Sequence, residues 1–230
     1  MNIYADRGNL LVLEHRCLWR GIGFELASSG LGESLDADVH DLYYLGGGQD
    51  RDQRLCAEDL IVFKRNSLHT AAARGAVILG VCGGYQLLGH SYTLGEDEIP
   101  GVGLLDVRTV REDGPRLIGN VAVEVSLGDS GDSILAGFEN HGGRTYLGGD
   151  VSALGRVVKG HGNDGRSGLE GARSGNTIGT YLHGPLLPKN AWFADWLIAT
   201  SLHIDLSQLD PLEDAFEREA HLSASRAAGV

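Results

Sequence analysis

The sequence lacks the features that mark secreted, membrane-spanning and zinc-binding proteins. It contains three cysteines, Cys17, Cys56 and Cys82, and no C-x-x-C pair, which argues against a disulfide framework and a cysteine-rich zinc site. No apolar run approaches the roughly 18 residues that cross a bilayer. The N-terminal residues carry neither the basic flank nor the apolar core of a signal peptide. We therefore expect a cytoplasmic protein without an inserted membrane segment.

Basic residues and phosphate-binding motifs are also scarce. The chain has 19 lysines and arginines against 31 aspartates and glutamates, and its formal net charge is -12. This excess of negative charge disfavours nucleic acid and anionic membrane surfaces as partners. The phosphate loop G-x-x-x-x-G-K-[ST] does not occur. We therefore expect no cofactor on this chain, and a reaction that uses ATP would need its nucleotide site on another polypeptide.

Glycine is the abundant residue, with 35 copies and no repeat, which predicts tight turns and close backbone approaches. Apolar strand patterns at 41–50 and 76–81 alternate with helical patterns, which favours a parallel sheet wrapped by helices. Strand-like segments between 102 and 160 predict an added hairpin or meander on the same sheet. No linker or composition break appears, so residues 1–230 are interpreted as one domain. Helices are predicted at 9–21, 52–74, 83–92, 189–203 and 211–224, before a frayed C-terminal tail.

The glycine-rich turn around Cys82 carries the clearest chemical signal. Residues 80–84 read Gly-Val-Cys-Gly-Gly after an apolar strand. This is a G-x-C-x-G version of the nucleophile elbow, a sharp strand-to-helix turn with a strained central residue. The turn places the sulfur at a helix N-terminus, which favours the thiolate, and aims the N–H of Gly83 at a developing oxyanion. A buried structural cysteine between close-packed glycines remains the alternative.

A cysteine nucleophile needs a base, and His183 has the most suggestive position among the nine histidines. It ends the apolar strand TIGTYLH and is followed by a glycine. Ligands bind at the carboxyl ends of strands in open parallel sheets, so Cys82 and His183 are expected to meet at one edge. Such a pair suits acyl transfer from an amide. A half-buried histidine that merely ends a strand is the alternative.

Two further glycine-rich segments carry candidate binding groups. Three glycines at 46–48 follow a strand, and their N–H groups could approach a substrate oxygen. Arg144, in the segment GFENHGGRTYLGG, could clamp a carboxylate with two hydrogen bonds; it could equally be a solvated arginine in a polar hairpin. His141 and His161 lack the carboxylate–histidine spacing of metal sites, so we predict no metal.

Taken together, these segments resemble the class I glutamine amidotransferases. The elbow fits the family pattern G-x-C-x-G-x-Q through Gly80, Cys82, Gly84 and Gln86. The resemblance narrows to the cobyric-acid-synthase-like glutaminase domains, and among them to the glutaminase subunits of lipid II isoglutaminyl synthases. The similar segments span most of the chain in the family's order: NIYADRGN, YYLGGGQD, GVCGGYQLLG, GFENHGGRTYLG and GTYLHGPLLPKN.

The resemblance implies a flavodoxin-like three-layer α/β/α sandwich with a mainly parallel sheet and an added β-rich segment. It also implies that Cys82 attacks the side-chain amide of glutamine and that His183 is the general base. The other residues implied in substrate binding are Gly48 and Gly83, as oxyanion N–H donors, Arg144, at the α-carboxylate, and Gln86.

A partner protein follows from the same resemblance. The released ammonia would pass to a MurT-like Mur ligase in a heterodimer, and this ligase would use ATP and Mg²⁺ to activate D-glutamate in lipid II. A glutaminase for another synthetase, such as one making cobyric acid, is an alternative with the same site residues. A DJ-1-type cysteine redox protein is a third possibility, but it would not explain Gln86, Arg144 and His183 together.

Two features depart from the family pattern. Most class I amidotransferases carry His-Pro-Glu, whereas Pro185 stands two residues after His183 and no carboxylate lies nearby in sequence. We therefore expect a Cys–His dyad, with any third carboxylate supplied from elsewhere in the fold or by the partner. Similar chains also begin with a short strand before the segment that starts here at Met1, so we expect the true start to lie upstream.

Overall fold

The computed structural model describes residues 6–48, 50–128 and 132–230. The helices are α1 (Asp6–Leu18), α2 (Asp50–Asp59), α3 (Arg65–Ala73), α4 (Gly83–Leu88), α5 (Ala191–Ser201) and α6 (Ala215–Ala228), and a π-helical turn (Leu60–Lys64) joins α2 to α3. The strands are β1 (Leu42–Leu45), β2 (Val77–Val81), β3 (Ser91–Leu94), β4 (Asp97–Pro100), β5 (Val107–Arg111), β6 (Leu117–Ser126), β7 (Asp132–His141), β8 (Gly143–Leu147), β9 (Gly155–Lys159), β10 (Leu169–Glu170), β11 (Ala172–Ser174) and β12 (Thr177–Thr180). No helix of these residues is long and apolar enough to cross a membrane.

The central sheet has the strand order β1-β2-β12-β11. Strands β1, β2 and β12 are parallel, and β11 pairs with β12 in the antiparallel sense. Every residue of β2 and β12 is buried, as expected for strands covered on both faces. The predicted parallel sheet of the first 95 residues is therefore present, and β12, from much later in the chain, completes it.

The β-rich segment forms two further sheets, with the orders β10-β9-β6-β7 and β4-β3-β5-β8. The prediction that it lies on the parallel sheet is wrong, because its strands pair mainly with one another. Strands β6 and β7, for example, pair along ten residues each. A single bridge between Phe138 of β7 and His183 links one of these sheets to the chain beyond β12.

Several predicted element boundaries also shift. The helix after Cys82 ends at Leu88, before residue 92, because residues 91–94 pair with β4 and β5. The C-terminal tail is not frayed: α6 continues to Ala228, and the carbonyl oxygen of Ala227 accepts a 2.9 Å hydrogen bond from Asn120. Tertiary contacts that local sequence does not reveal fix both of these boundaries.

Two paired glycines create the surface on which α4 lies. Gly80 of β2 and Gly179 of β12 face each other in the sheet. A Cβ at Gly179 would come within 1.9 Å of the Tyr85 ring, and one at Gly80 within 2.9 Å of the backbone of Gly84. The absence of side chains therefore allows the helix after Cys82 to pack directly on the sheet.

We predict that Gly179→Ala destabilises the protein by about 1–3 kcal/mol, the usual cost of overpacking a core. The added methyl group collides with Tyr85, which is fully buried. Gly119→Ala is the matched control: it also lies in a strand, β6, and a Cβ there would have no heavy atom within 4 Å. Equilibrium denaturation of both variants measures the difference, and equal stabilities would contradict this packing.

Candidate functional site

Cys82 lies in the sharp turn between β2 and α4. Its backbone has φ 54° and ψ -107°, and a positive φ is uncommon and costly for a residue other than glycine. The side chain is 7% exposed. A Cβ at Gly84 would lie 2.1 Å from the carbonyl oxygen of Leu45, so the turn also brings α4 against the end of β1. The backbone is that of the predicted elbow.

His183 lies at the same edge of the central sheet. Strand β12 runs parallel to β2, and the N–H of Cys82 donates a 2.8 Å hydrogen bond to the carbonyl oxygen of Thr180. Three residues later, His183 exchanges two backbone hydrogen bonds with Phe138, of 2.9 and 3.0 Å. The structure therefore places the two predicted catalytic residues beyond the carboxyl ends of neighbouring strands. The sequence had only suggested that they lie at one edge.

Burial and nearby positive charges keep His183 neutral. Burial, followed by the charges of His141, Lys189 and Arg116, lowers the pKa of His183 to about 4, against a smaller raising effect of Glu139. A neutral imidazole at ordinary pH can accept a proton from a thiol. His183 is therefore neutral and able to accept a proton, while its lowered pKa makes it a weaker base than a free imidazole.

A third parallel strand, β1, ends at the same edge of the sheet, and the loop with Gly48 follows it. Gly48 follows β1, which is parallel to β2, while Gly83 is the first residue of α4. Both N–H groups are therefore at the edge that carries Cys82, where donors to an oxyanion are needed. Their roles in an oxyanion hole remain predictions.

Gln86 forms part of a buried hydrogen-bond chain. Its side-chain oxygen accepts a hydrogen bond from Gln53 of α2, and its side-chain nitrogen donates to the Tyr181 hydroxyl at 3.1 Å. That hydroxyl is 2.6 Å from the Thr145 hydroxyl. Gln86 thus ties the elbow helix to α2 and to the segment after β12. Its predicted contact with substrate is untested.

Arg144 is buried in β8 and contacts backbone carbonyl groups. It donates to the carbonyl oxygens of Gly142 and Pro115 at 3.0 and 2.9 Å, so it is not the solvated hairpin arginine of the alternative interpretation. The preceding Gly143 packs on Gln86: a Cβ there would lie 2.7 Å from the Gln86 side-chain nitrogen. The strand that carries Arg144 therefore borders the site, and its contact with a substrate carboxylate remains a prediction.

Sequence patterns missed several charged and aromatic groups around His183. Arg116 binds the side-chain and backbone oxygens of Asn140, both at 2.8 Å. The ring of His141 stacks on Tyr181, with ring centres 3.5 Å apart. The polar segment GFENHGG was the one sequence signal for such a cluster. No sequence pattern predicted that this segment lies beside His183.

Glu139 is a buried carboxylate in this cluster. Its two oxygens accept hydrogen bonds from the N–H groups of His161 and Gly162, at 2.7 and 2.9 Å. It is a candidate within the fold for a third carboxylate beside the expected Cys–His dyad; the dyad and any third member remain predictions. The described residues contain no group of three or more histidines, cysteines, aspartates or glutamates that could hold a metal ion.

Comparisons with known proteins show which family the chain resembles. Residues 1–191 match the family described as the CobB/CobQ-like glutamine amidotransferase domain. The chain is 37% identical over 227 residues to the lipid II isoglutaminyl synthase (glutamine-hydrolyzing) subunit GatD of Staphylococcus aureus strain N315, covering 98% of this chain and 89% of that protein. It is 35% identical to the subunit of the same name from Streptococcus pneumoniae strain ATCC BAA-255 / R6, covering 95% and 84%.

A crystal structure of a glutamine amidotransferase has a similar fold, with a TM-score of 0.53 at 15% identity. The alignment covers 83% of this chain and 93% of that one. At this identity the likeness concerns the fold alone. It confirms the predicted flavodoxin-like α/β sandwich.

We predict that Lys189→Met raises the pKa of His183. The charge of Lys189 is one of the groups that lower this pKa, and its removal leaves the imidazolium form less disfavoured. The measurement is an NMR titration of the His183 ring protons, assigned with a His183→Gln variant.

Lys159→Met is the matched control, because Lys159 is an exposed lysine of β9 outside the groups that shift His183. It should leave the titration unchanged. An unchanged His183 titration in Lys189→Met would show that this lysine does not act on the base.

Proposed function

This chain belongs to the family of CobB/CobQ-like glutamine amidotransferases, and from that premise we propose that it is the glutaminase subunit of a lipid II isoglutaminyl synthase. The observation that carries the proposal is the match to GatD subunits along nearly the whole length of both chains. The elbow cysteine and the buried neutral histidine at neighbouring strand ends support it, because together they provide a nucleophile and its base.

Hydrolysis of glutamine begins with a proton transfer from the Cys82 thiol to His183. The sulfur attacks the side-chain amide carbon, and the N–H groups of Gly48 and Gly83 stabilise the oxyanion that forms. The protonated His183 gives its proton to the leaving nitrogen, which departs as ammonia and leaves a thioester. Neutral His183 then activates a water molecule, which releases glutamate and restores the thiol. Arg144 holds the α-carboxylate of glutamine, and Gln86 contributes to the substrate site.

The ammonia passes to a partner subunit. The GatD relatives are named as subunits of a synthase, which implies a second component for this chain as well. We propose a MurT-like ATP-dependent ligase that holds ATP and Mg²⁺ and amidates D-glutamate of the lipid II stem peptide. Absence of a phosphate loop from this sequence supports that division of labour. The complex would act at the cytoplasmic side, where ATP is present.

The two alternative functions differ in their acceptor and chemistry. A glutaminase for cobyric acid synthesis would use the same catalytic residues, so glutamine turnover alone does not separate it from the proposed function. The length of the match to GatD favours lipid II as acceptor. A cysteine redox protein needs no base at the end of β12 and would not hydrolyse glutamine.

We predict that Cys82→Ala abolishes glutamine-dependent amidation of lipid II when the chain is co-expressed with the proposed MurT-like ligase. Loss of the nucleophile should lower the rate by at least about a thousandfold. The measurement is mass spectrometry of the stem peptide, with glutamine as the only nitrogen source.

Two controls make this experiment specific. Ammonium salt should restore amidation in the Cys82→Ala complex, because the ligase remains intact. Cys56→Ala should behave like the wild-type protein, since Cys56 is a half-buried residue of α2 outside the site. Unchanged glutamine-dependent amidation in Cys82→Ala would overturn the mechanism, and glutaminase activity without lipid II amidation would favour another acceptor.

A further inference from the structure

A second buried carboxylate, Glu170, lies behind the catalytic edge. It belongs to β10 and is fully buried. Its Oε1 atom accepts two hydrogen bonds, from the Thr180 hydroxyl at 2.6 Å and from the N–H of Tyr181 at 2.8 Å. Both donors belong to the segment that ends β12 and leads to His183.

The chain changes its pairing partner in this segment. Pairing between β12 and β2 ends at Thr180, and the next cross-strand bridge is the one between His183 and Phe138 of β7. Between them, the N–H groups of Tyr181 and Leu182 leave the central sheet and need other acceptors, because unpaired buried N–H groups are costly. Glu170 accepts the first, and the Thr180 hydroxyl accepts the second at 3.1 Å.

The same segment contacts both catalytic residues. The carbonyl oxygen of Thr180 accepts the hydrogen bond from the N–H of Cys82, and His183 follows three residues later. Displacement of this segment would therefore move the base relative to the nucleophile. A misplacement of about 1 Å can cost about a hundredfold in rate.

Burial of the Glu170 carboxylate is energetically unfavourable, which argues against a purely structural role. Burial, together with the negative charge of Glu139, raises the pKa of Glu170 to about 7, while the Thr180 and Tyr181 hydrogen bonds oppose this rise. An isolated buried carboxylate is unfavourable, and the hydrogen bonds at its Oε1 atom are the visible compensation. They point to a requirement for an acceptor of the Thr180 hydroxyl and the Tyr181 N–H at this place.

We propose that Glu170 is a positioning residue of the Cys82–His183 pair. It fixes residues 180–182, where the chain after β12 stops pairing with β2 and begins to pair with β7, and so sets the position of His183 relative to Cys82. Glu170 acts through Thr180 and the backbone and takes no part in the chemical steps. The inference rests on the glutaminase function proposed above for its kinetic consequence. The predicted effect of Glu170 on the relative position of Cys82 and His183 does not depend on which substrate is used.

We predict that Glu170→Ala lowers kcat for glutamine hydrolysis by about tenfold to a hundredfold, with KM little changed. The methyl group offers no acceptor, so the segment loses its anchor. Glu170→Gln keeps an oxygen acceptor and resembles the protonated carboxyl group, so it should retain a kcat of the same order as the wild-type protein. Thr180→Val should lower kcat, and Thr180→Ser, which keeps the hydroxyl, should restore it.

Asp195→Asn separates positioning from loss of stability. Asp195 of α5 accepts hydrogen bonds from the buried Arg16 and from Arg20, so its replacement weakens the fold without touching residues 180–182. All variants are assayed well below their melting temperatures, with folding checked by circular dichroism. Asp195→Asn should lower the melting temperature and leave kcat unchanged.

Alkylation of Cys82 by iodoacetamide provides a readout that does not depend on glutamine. The rate follows the thiolate fraction, which the paired base controls, and peptide mass spectrometry distinguishes Cys82 from Cys17 and Cys56. We expect Glu170→Ala and Thr180→Val to change the pH profile of Cys82 alkylation, with Glu170→Gln and Asp195→Asn close to the wild-type protein.

The outcomes separate the two proposals. A wild-type complex that does not hydrolyse glutamine overturns the proposed function, while the alkylation profiles still decide the role of Glu170. Equal loss of kcat in Glu170→Ala and Asp195→Asn, or a Glu170→Gln variant as impaired as Glu170→Ala, overturns the positioning role. If Glu170→Ala does not fold, the Thr180→Val and Thr180→Ser pair decides it by the same measurements.

Discussion

The backbone turn at Cys82 is the constraint on which the site depends. Strand β2 must end and α4 must begin within one residue, and the positive φ of Cys82 is the cost of doing so. The turn is possible because Gly80 and Gly84 leave room for the backbone, and Gly179 leaves room for Tyr85. At these positions, glycine therefore allows helix and strand backbones to approach each other closely.

A second requirement is that the chain leaves the central sheet between Thr180 and His183. The parallel sheet carries Cys82, the proposed nucleophile, but His183, the proposed base, is held by a bridge to β7 in an antiparallel sheet. The β-rich segment is consequently part of the site. It also contributes Glu139, His141 and Arg144 to its surroundings, so the site and its surroundings draw on all three sheets.

The local electrostatics differ from the overall charge. The chain carries a formal net charge of -12, yet burial and neighbouring positive charges dominate the pKa of His183 and favour its neutral form. Glu139 and Glu170 bring carboxylates into the same interior, where hydrogen bonds from backbone N–H groups partly compensate their burial. His183 and the two carboxylates are therefore buried in the same interior, and each is fixed by different hydrogen-bond partners.

The sequence by itself determined the elbow at Cys82, the strands that lead to Cys82 and towards His183, and the family, because these depend on residue type and short-range patterns. It placed the end of the last strand at His183, whereas β12 ends at Thr180. It misplaced the β-rich segment and missed Arg116, Glu139 and Glu170. Only the tertiary structure decided these, and it also showed that both ends of the Gln86 amide are already paired. The physical reason is the path of the chain: Gln53 and Gln86, 33 residues apart, and Gln86 and Tyr181, 95 residues apart, meet through strand order and crossover, which no local pattern encodes.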